Sequence, residues 1–263
     1  MAEKSEILLE WKEGGRVALV TIDRPQRRNA CDFAAWTDLR DIFRRLAEGT
    51  RPQLVVLTGA QGHFCAGDDI VAFRAVLDDT AAAAVYRARI QECYAAVQGL
   101  PVPVVAAIGG ACVGGGCSLA LCCDFRVGRP DARIGVPTAK LGLVYPTVQL
   151  VRLASLIGVA RARRWVYGGE LVGCSDALEA GYLDVACGDD VVAAAIEFGR
   201  PFMDSAPLSI AGSKLQLNAI AAGRLQEASA AIDAISAQAD NSADYRNAAT
   251  AFAQKRRPVF EGR

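Results

Sequence analysis

Apolar residues fall along this chain in runs of two lengths, and each predicts a different element. Short unbroken runs at Val104–Ile108, framed by Pro101 and Pro103 before and Gly109-Gly110 after, and at residues 54–58, followed by Gly59, predict strands covered on both faces. Residues 7–11 and 16–22, split by Gly14-Gly15, predict a β-hairpin. Shorter strands are expected at residues 125–127, 133–135 and 182–186. Phe33, Trp36, Leu39, Phe43 and Leu46 recur at helical spacing behind Asp32, a residue suited to cap a helix running to about Ala47. Further helices are expected over residues 81–98, over 117–123, and over 150–167 with a break near Gly158. From Ser175 onward the chain becomes alanine-rich and, apart from the strand at 182–186, predicts helices over 190–203, 208–222, 225–238 and 242–254. The alternation of strands and helices gives an α/β class, and such a helical tail suits association rather than chemistry.

The stretch joining the strand at 104–108 to the helix at 117–123 carries five glycines in the eight residues from Gly109 to Gly116. Glycine lets backbone approach a ligand closely, and a helix beginning there points unpaired N–H groups forward. A phosphate-cradling loop would need Lys after the last glycine of G-x-x-x-x-G, but Gly115 follows Gly114. A dinucleotide loop would need G-x-G-x-x-G, but Ala111 and Cys112 break that spacing. What remains is a donor pocket for an oxygen that gains negative charge.

Composition narrows the choice of chemistry. Lys and Arg together number 29, as do Asp and Glu, so no global field recruits nucleic acid or an anionic membrane. Nine cysteines, no C-x-x-C pair and a single histidine, His63, point away from a disulfide framework and from a metal site. Most of the cysteines lie in apolar runs, as small hydrophobes of a reducing cytoplasm. Residues 1–11 show no apolar leader segment, and no run reaches about 18 uninterrupted apolar residues, so neither export nor a membrane span is expected.

Two loops and several flanking motifs together carry a resemblance. Phe64-Cys65-Ala66-Gly67-Asp68-Asp69-Ile70, Gly114-Gly115-Gly116-Cys117-Ser118-Leu119-Ala120, Cys123-Asp124, the closing Lys255-Arg256-Arg257-Pro258-Val259-Phe260, and Asp23-Arg24-Pro25 with Asn29-Ala30 resemble the crotonase (enoyl-CoA hydratase/isomerase) superfamily over essentially the whole chain. The resemblance implies a crotonase-like spiral of ββα turns with a helical C-terminal trimerisation region. We divide the chain accordingly into a core at residues 1–200 that binds acyl-CoA and an oligomerisation region at 201–263. It further implies a homotrimer or dimer of trimers, and a coenzyme A thioester as substrate with no tightly bound cofactor. Two backbone N–H groups, carried over to Asp68 and Gly115, would form an oxyanion hole for a thioester enolate. The backbone of Ala66, Asp68 and Ile70 would line the adenine and pantetheine path, and Arg27 or Arg28, with Lys255 of a neighbouring subunit, would meet the phosphates.

The chain departs from the family pattern at its acids. Family hydratases carry glutamates where this chain has Ser118 and Thr138, and a third carboxylate position holds Pro146. Hydroxyls without a helper do not act as general bases near neutrality. Asp68 stands where the family has a small residue, and its carboxylate can either reach the reacting carbon or cap the next helix alongside Asp69. Tyr145 matches by position a tyrosine of the methylmalonyl-CoA decarboxylase branch, and can equally be a core aromatic. His63 is expected to point away from the chemistry, and Cys65 and Cys117 to serve packing. The leading reading is an enoyl-CoA hydratase/isomerase-type enzyme. Its alternatives are decarboxylation of a malonyl-type acyl-CoA and a homologue that binds acyl-CoA without turnover.

Overall fold

A computed structural model describes residues 6–49 and 51–263 of the chain. Residues 1–5, part of the segment read as free of a leader, lie outside the described residues. The predicted hairpin forms from β1 (Ile7–Lys12) and β2 (Val17–Ile22), paired antiparallel from Ile7 opposite Ile22 to Lys12 opposite Val17. α1 (Phe33–Leu46) follows, and the Asp32 side chain accepts from the Ala35 N–H at 2.9 Å as its cap. Then come β3 (Leu54–Gly59), α2 (Ile70–Arg74), α3 (Thr80–Gly99), β4 (Val104–Ile108), β5 (Ala111–Val113) and α4 (Gly115–Cys122). The next elements are β6 (Phe125–Gly128), β7 (Arg133–Gly135), α5 (Thr147–Ile157), α6 (Val159–Gly168), β8 (Val172–Gly173), α7 (Cys174–Glu179) and β9 (Val185–Ala186). Four helices close the chain: α8 (Val191–Met203), α9 (Pro207–Ala221), α10 (Leu225–Asp240) and α11 (Ala243–Ala253). None of the described helices is long and apolar enough to cross a membrane.

The strands form two sheets, ordered β1-β2-β3-β4-β6-β9 and β5-β7-β8. The chain passes from the larger sheet to the smaller one and into a helix, then repeats: β4, β5, α4, followed by β6, β7, α5. This is the spiral of ββα turns that the resemblance implies. Side chains alternate across the large sheet and sort into two cores. Ala18, Val20, Val55, Leu57, Val104, Ala106 and Ile108 join the core beneath α1, α3 and α4. Val17, Leu19, Leu54, Val56, Val105 and Ala107 face the other way, onto Val191, Ala195 and Met203 of α8. Burial on both faces is why these strands read as unbroken apolar runs.

Two boundaries differ from the sequence expectation. The helix expected from residue 117 begins at Gly115, because Gly114, at φ 56 and ψ −115, turns the chain and leaves Gly115 and Gly116 inside the first turn. The strand expected over 182–186 shortens to Val185–Ala186. There Tyr182 is wholly buried, its carbonyl accepting from Arg126 Nε at 2.6 Å, and Asp184 caps the neighbouring strand by accepting from Arg126 N at 2.7 Å. The short elements α2, β5, α7 and β8 are too brief for periodicity to show.

Within the helical tail, α9 is tied to the core by a largely buried ion pair. Lys214 of α9 reaches Asp124 Oδ2 at 2.6 Å and the Val102 carbonyl at 3.0 Å, while the same carboxylate oxygen accepts from the Val104 N–H at 2.7 Å. Breaking one side of a buried pair leaves the other charge uncompensated. Lys214→Met is therefore expected to lower stability by about 3 kcal/mol, read as a fall in urea midpoint; an unchanged midpoint would show that this pair does not dock α9.

Candidate active site

Two loops meet backbone to backbone. Cys65 of the first donates its N–H to the Ala111 carbonyl at 2.9 Å and accepts from Val113 N at 3.0 Å, so the loop after β3 lies along β5 as an added strand. Gly67, at φ 98, lies where a Cβ would stand 2.7 Å from Val113 O and 2.8 Å from Gly115 N. A Cβ on Gly116 would sit 2.0 Å from the Cys65 carbonyl oxygen. Only glycine fits at either position.

This contact sets the direction of two N–H groups. Cys31 donates to Gly67 O and accepts from Asp69 N, each at 2.8 Å, as a parallel bridge opposite Asp68. Asp68's own N–H therefore points away from Cys31, toward the second loop. Gly115 is the first residue of α4, where an N–H has no partner within the helix. A Cβ built on Gly115 would lie 3.3 Å from Asp68 N and 3.1 Å from Asp68 Oδ2, which places both donors and one carboxylate at a single point of the fold.

The two adjacent aspartates do different things. Asp69 caps α2, its Oδ1 accepting from Val71 N at 3.1 Å and Ala72 N at 3.3 Å, and its Oδ2 lies 3.6 Å from Arg24 and 3.9 Å from Arg27. Asp68 takes no part in the cap. Its Oδ1 accepts from the indole N–H of Trp36 at 3.1 Å. Burial pushes the Asp68 carboxyl up to about 6, against the opposing pull of that indole and of its own N–H.

The hydroxyls form a separate cluster. Ser118 Oγ donates to Gly114 O at 3.2 Å, which leaves Tyr145 OH to donate to Ser118 Oγ at 2.7 Å. Both side chains are buried, and burial holds the Tyr145 phenol well above its ordinary range, so it stays neutral. Thr138, on the 3-10 turn Pro137–Leu141, keeps a buried hydroxyl with no hydrogen-bond partner. The structure thus brings Ser118 and Tyr145 together but bonds Thr138 to neither.

The remaining predicted residues are more scattered. Arg27 and Arg28 are exposed on the loop before α1, and the Arg28 carbonyl accepts the Ala66 N–H at 3.0 Å, leaving Ala66 only its carbonyl for a ligand. Ile70, the first residue of α2, is exposed, as is Lys255 just beyond α11. His63 Nδ1 accepts from Ala111 N at 3.1 Å and so braces the loops from behind. Cys65 accepts from Gly67 N at 3.3 Å and Cys117 lies 3.2 Å from Tyr182 OH, both buried among packed neighbours.

Sequence reading missed three contributors. Trp36 and Tyr94 were legible only as apolar positions on helices, yet Trp36 bonds Asp68 and Tyr94 OH donates to Gly115 O at 3.0 Å. Arg24, buried, pairs with Glu6 at 2.6 Å and Asp32 at 2.8 Å beside Asp69, and so ties the hairpin, the cap of α1 and the first loop together. Cavities of about 620 and 660 Å³ flank α9, the second walled in part by Tyr94 and α5, and the Asp68–Gly115 seam lines neither.

Comparisons with known proteins bear on this arrangement. The sequence model of the enoyl-CoA hydratase/isomerase family matches residues 12–263. A protein of Mycobacterium bovis described as a probable enoyl-CoA hydratase is 36% identical over 247 residues, covering 94% of this chain and 96% of the relative. The 2,3-dehydroadipyl-CoA hydratase of Escherichia coli is 30% identical over 260 residues, 98% of this chain and 100% of that protein. Among solved structures, an enoyl-CoA hydratase from Bacillus anthracis superposes with a TM-score of 0.86 at 27% identity, over 98% of this chain and 100% of that one. Match along nearly the full length, in sequence and in fold, shows that the chain belongs to the enoyl-CoA hydratase/isomerase family, the crotonase superfamily.

Proposed function

We propose that this enzyme holds the carbonyl oxygen of an acyl-CoA thioester between the N–H groups of Asp68 and Gly115, and that the Asp68 carboxylate shifts a proton along the enoyl chain. The observation that carries the reading is one carboxylate, raised to about 6, where the backbone nitrogens of Asp68 and Gly115 come together. A carboxyl of that pKa is mostly ionised at pH 7 and is a stronger base than an ordinary carboxylate, as taking and returning a proton requires. The two donors stabilise the negative charge that develops on the thioester oxygen.

The number of carboxylates selects the reaction. Hydration needs one group to activate water and another to protonate carbon, yet Ser118 is bonded to Tyr145 and Thr138 is a hydroxyl in a buried position. A double-bond shift needs only one. Asp68 takes a proton from C2 of a 3-enoyl thioester, the electron pair moves into the carbonyl to give a dienolate, and the new carboxylic acid returns the proton to C4. Product is the conjugated 2-enoyl thioester, and the carboxylate is regenerated. Decarboxylation of a malonyl-type ester is disfavoured, since an ionised Asp68 would repel the substrate carboxylate. A binder without turnover is the second reading, favoured by the mutual bonding of Ser118 and Tyr145. On either reading Arg27 or Arg28, with Lys255 from a neighbouring copy in a trimer, would meet the coenzyme A phosphates.

With a 3-enoyl-CoA substrate, the conjugated thioester absorbance is expected to grow, with kcat/KM falling below about pH 6 as Asp68 becomes protonated. Asp68→Asn is expected to lower kcat by on the order of 100-fold or more. Gly115→Pro, which removes the N–H and also crowds Gly67 and Asp68, should lose on the order of 100-fold or more. Full turnover in the Asp68→Asn protein would sink the proposal, and binding of the thioester with no turnover in the unsubstituted protein would favour the binder.

The same carboxylate has a stability signature. A carboxyl near 3.9 in the unfolded chain and about 6 in the folded one favours the protonated native state, so its penalty is absent below about pH 4 and complete above about pH 6. Asp68→Asn should therefore raise stability at pH 7 by at most about 3 kcal/mol, with the gain vanishing by about pH 4. Urea titrations of both proteins across pH 4–8 would show it, and a variant less stable at pH 7 than at pH 4 relative to its parent would contradict it.

A further inference from the structure

Two fully or nearly fully buried aromatic residues reach the two loops from behind. Trp36 of α1 is wholly buried, and its indole N–H donates to Asp68 Oδ1 at 3.1 Å. Tyr94 of α3 donates to Gly115 O at 3.0 Å. The two rings meet edge to face, with centroids 5.6 Å apart and an interplanar angle of 84°. One helix therefore holds the carboxylate, its neighbour holds the start of α4, and the ring contact joins the two.

We infer that Trp36 is a positioning residue that fixes which oxygen of Asp68 carries the shuttled proton; this rests on the reading of Asp68 as the proton-transfer group. An indole N–H is a donor and never an acceptor. Oδ1 accepts from it, and in the protonated acid the carbonyl oxygen is the stronger acceptor, so the bond favours Oδ1 as the carbonyl and Oδ2 as the seat of the mobile proton. Oδ2 is the oxygen beside Gly115, 3.1 Å from where a Cβ on that residue would stand. Without the indole the short side chain is free to rotate toward Arg24 or the start of α2, as Asp69 does. A hydrogen bond to the charged form also holds the carboxyl lower than burial alone would.

The other groups facing Asp68 are silent in the same range. Cys31 opposite it in the bridge is pushed above its ordinary value by its hydrogen bond with the Cys65 thiol and by burial, and Tyr86 and Tyr94 on α3 by burial and by neighbouring groups. Asp69 from its own loop lies against Arg24 and Arg27, and α4 presents the backbone of Gly115.

The test uses the full chain labelled with 5-fluorotryptophan and observed by fluorine NMR, beside Trp36→Phe, which assigns the Trp36 signal and keeps a ring against Tyr94. The Trp36 resonance is expected to titrate with a midpoint near 6, and to stop titrating in Asp68→Asn. In the pH profile of isomerisation, Trp36→Phe should move the acidic limb up by about one pH unit, the size expected for losing a hydrogen bond to a charged group. That displacement lowers kcat about fivefold at pH 6 and about tenfold at pH 5 with KM unchanged, and the loss recovers above pH 8. Merely structural damage would instead lower the rate equally at every pH and leave the limb in place, which would overturn the inference. Should Trp36→Phe fail to fold, a Trp signal set with no titration dependent on Asp68 overturns it equally. If Asp68→Asn keeps full activity while a fluorine signal still titrates with Asp68, the bond stands and the shuttle reading falls. If Asp68→Asn is inactive and the Trp36→Phe limb does not move, the shuttle stands and the role of Trp36 falls.

Discussion

The structure depends on a backbone contact that tolerates no side chain. Cys65 is hydrogen bonded to both Ala111 and Val113, Gly67 lies against Gly115 N, and Gly116 lies against Cys65 O. Backbone groups can approach so closely only where Cβ atoms are missing. From that approach follow the start of α4, the direction of the Gly115 N–H and the turning of the Asp68 N–H toward it. The spiral of strands supplies the rigid frame, since β3 and β4 are parallel neighbours in the large sheet and deliver their following loops to the same end. Ligand sites of parallel sheets arise at such carboxyl ends for this reason.

Placing a carboxylate at that seam is costly to the fold. Asp68 is pushed toward neutrality by burial, whereas its neighbour Asp69 is matched to helix N–H groups and to arginines. Shifted pKa values concentrate at functional sites, which is the physical ground on which the proposal singles out Asp68. The hydroxyl cluster of Ser118 and Tyr145 shows the opposite character, being internally satisfied. The polarity of the site is thus concentrated on one residue rather than shared between two.

Family membership and reaction separate here. The fold, the two loops and nearly the full length match relatives described as enoyl-CoA hydratases. Ser118 on α4, Thr138 on the turn after β7 and Asp68 on the loop before α2 lie apart from the glycine positions that make the backbone contact. A shared fold does not fix the acid–base groups it carries, so family membership says less about the bond made or broken than the site does.

By itself the sequence determined the elements whose signal is local. Unbroken apolar runs marked β3 and β4, helical spacing behind Asp32 marked α1, and the glycine-rich stretch marked the start of α4, with an error of two residues that Gly114 accounts for. The two loop motifs carried the family. Only the tertiary structure decided that Asp69 caps α2 while Asp68 turns to Trp36, since both aspartates precede the helix and either satisfies the capping pattern. It alone paired Ser118 with Tyr145, 27 residues apart, and brought Trp36 and Tyr94 to the loops from two different helices. The physical reason is common to all of these. Propensity, capping and periodicity act over a few residues, whereas the environment of a carboxylate is set by whichever distant helices pack against it, and that is fixed when the two cores close on the sheet.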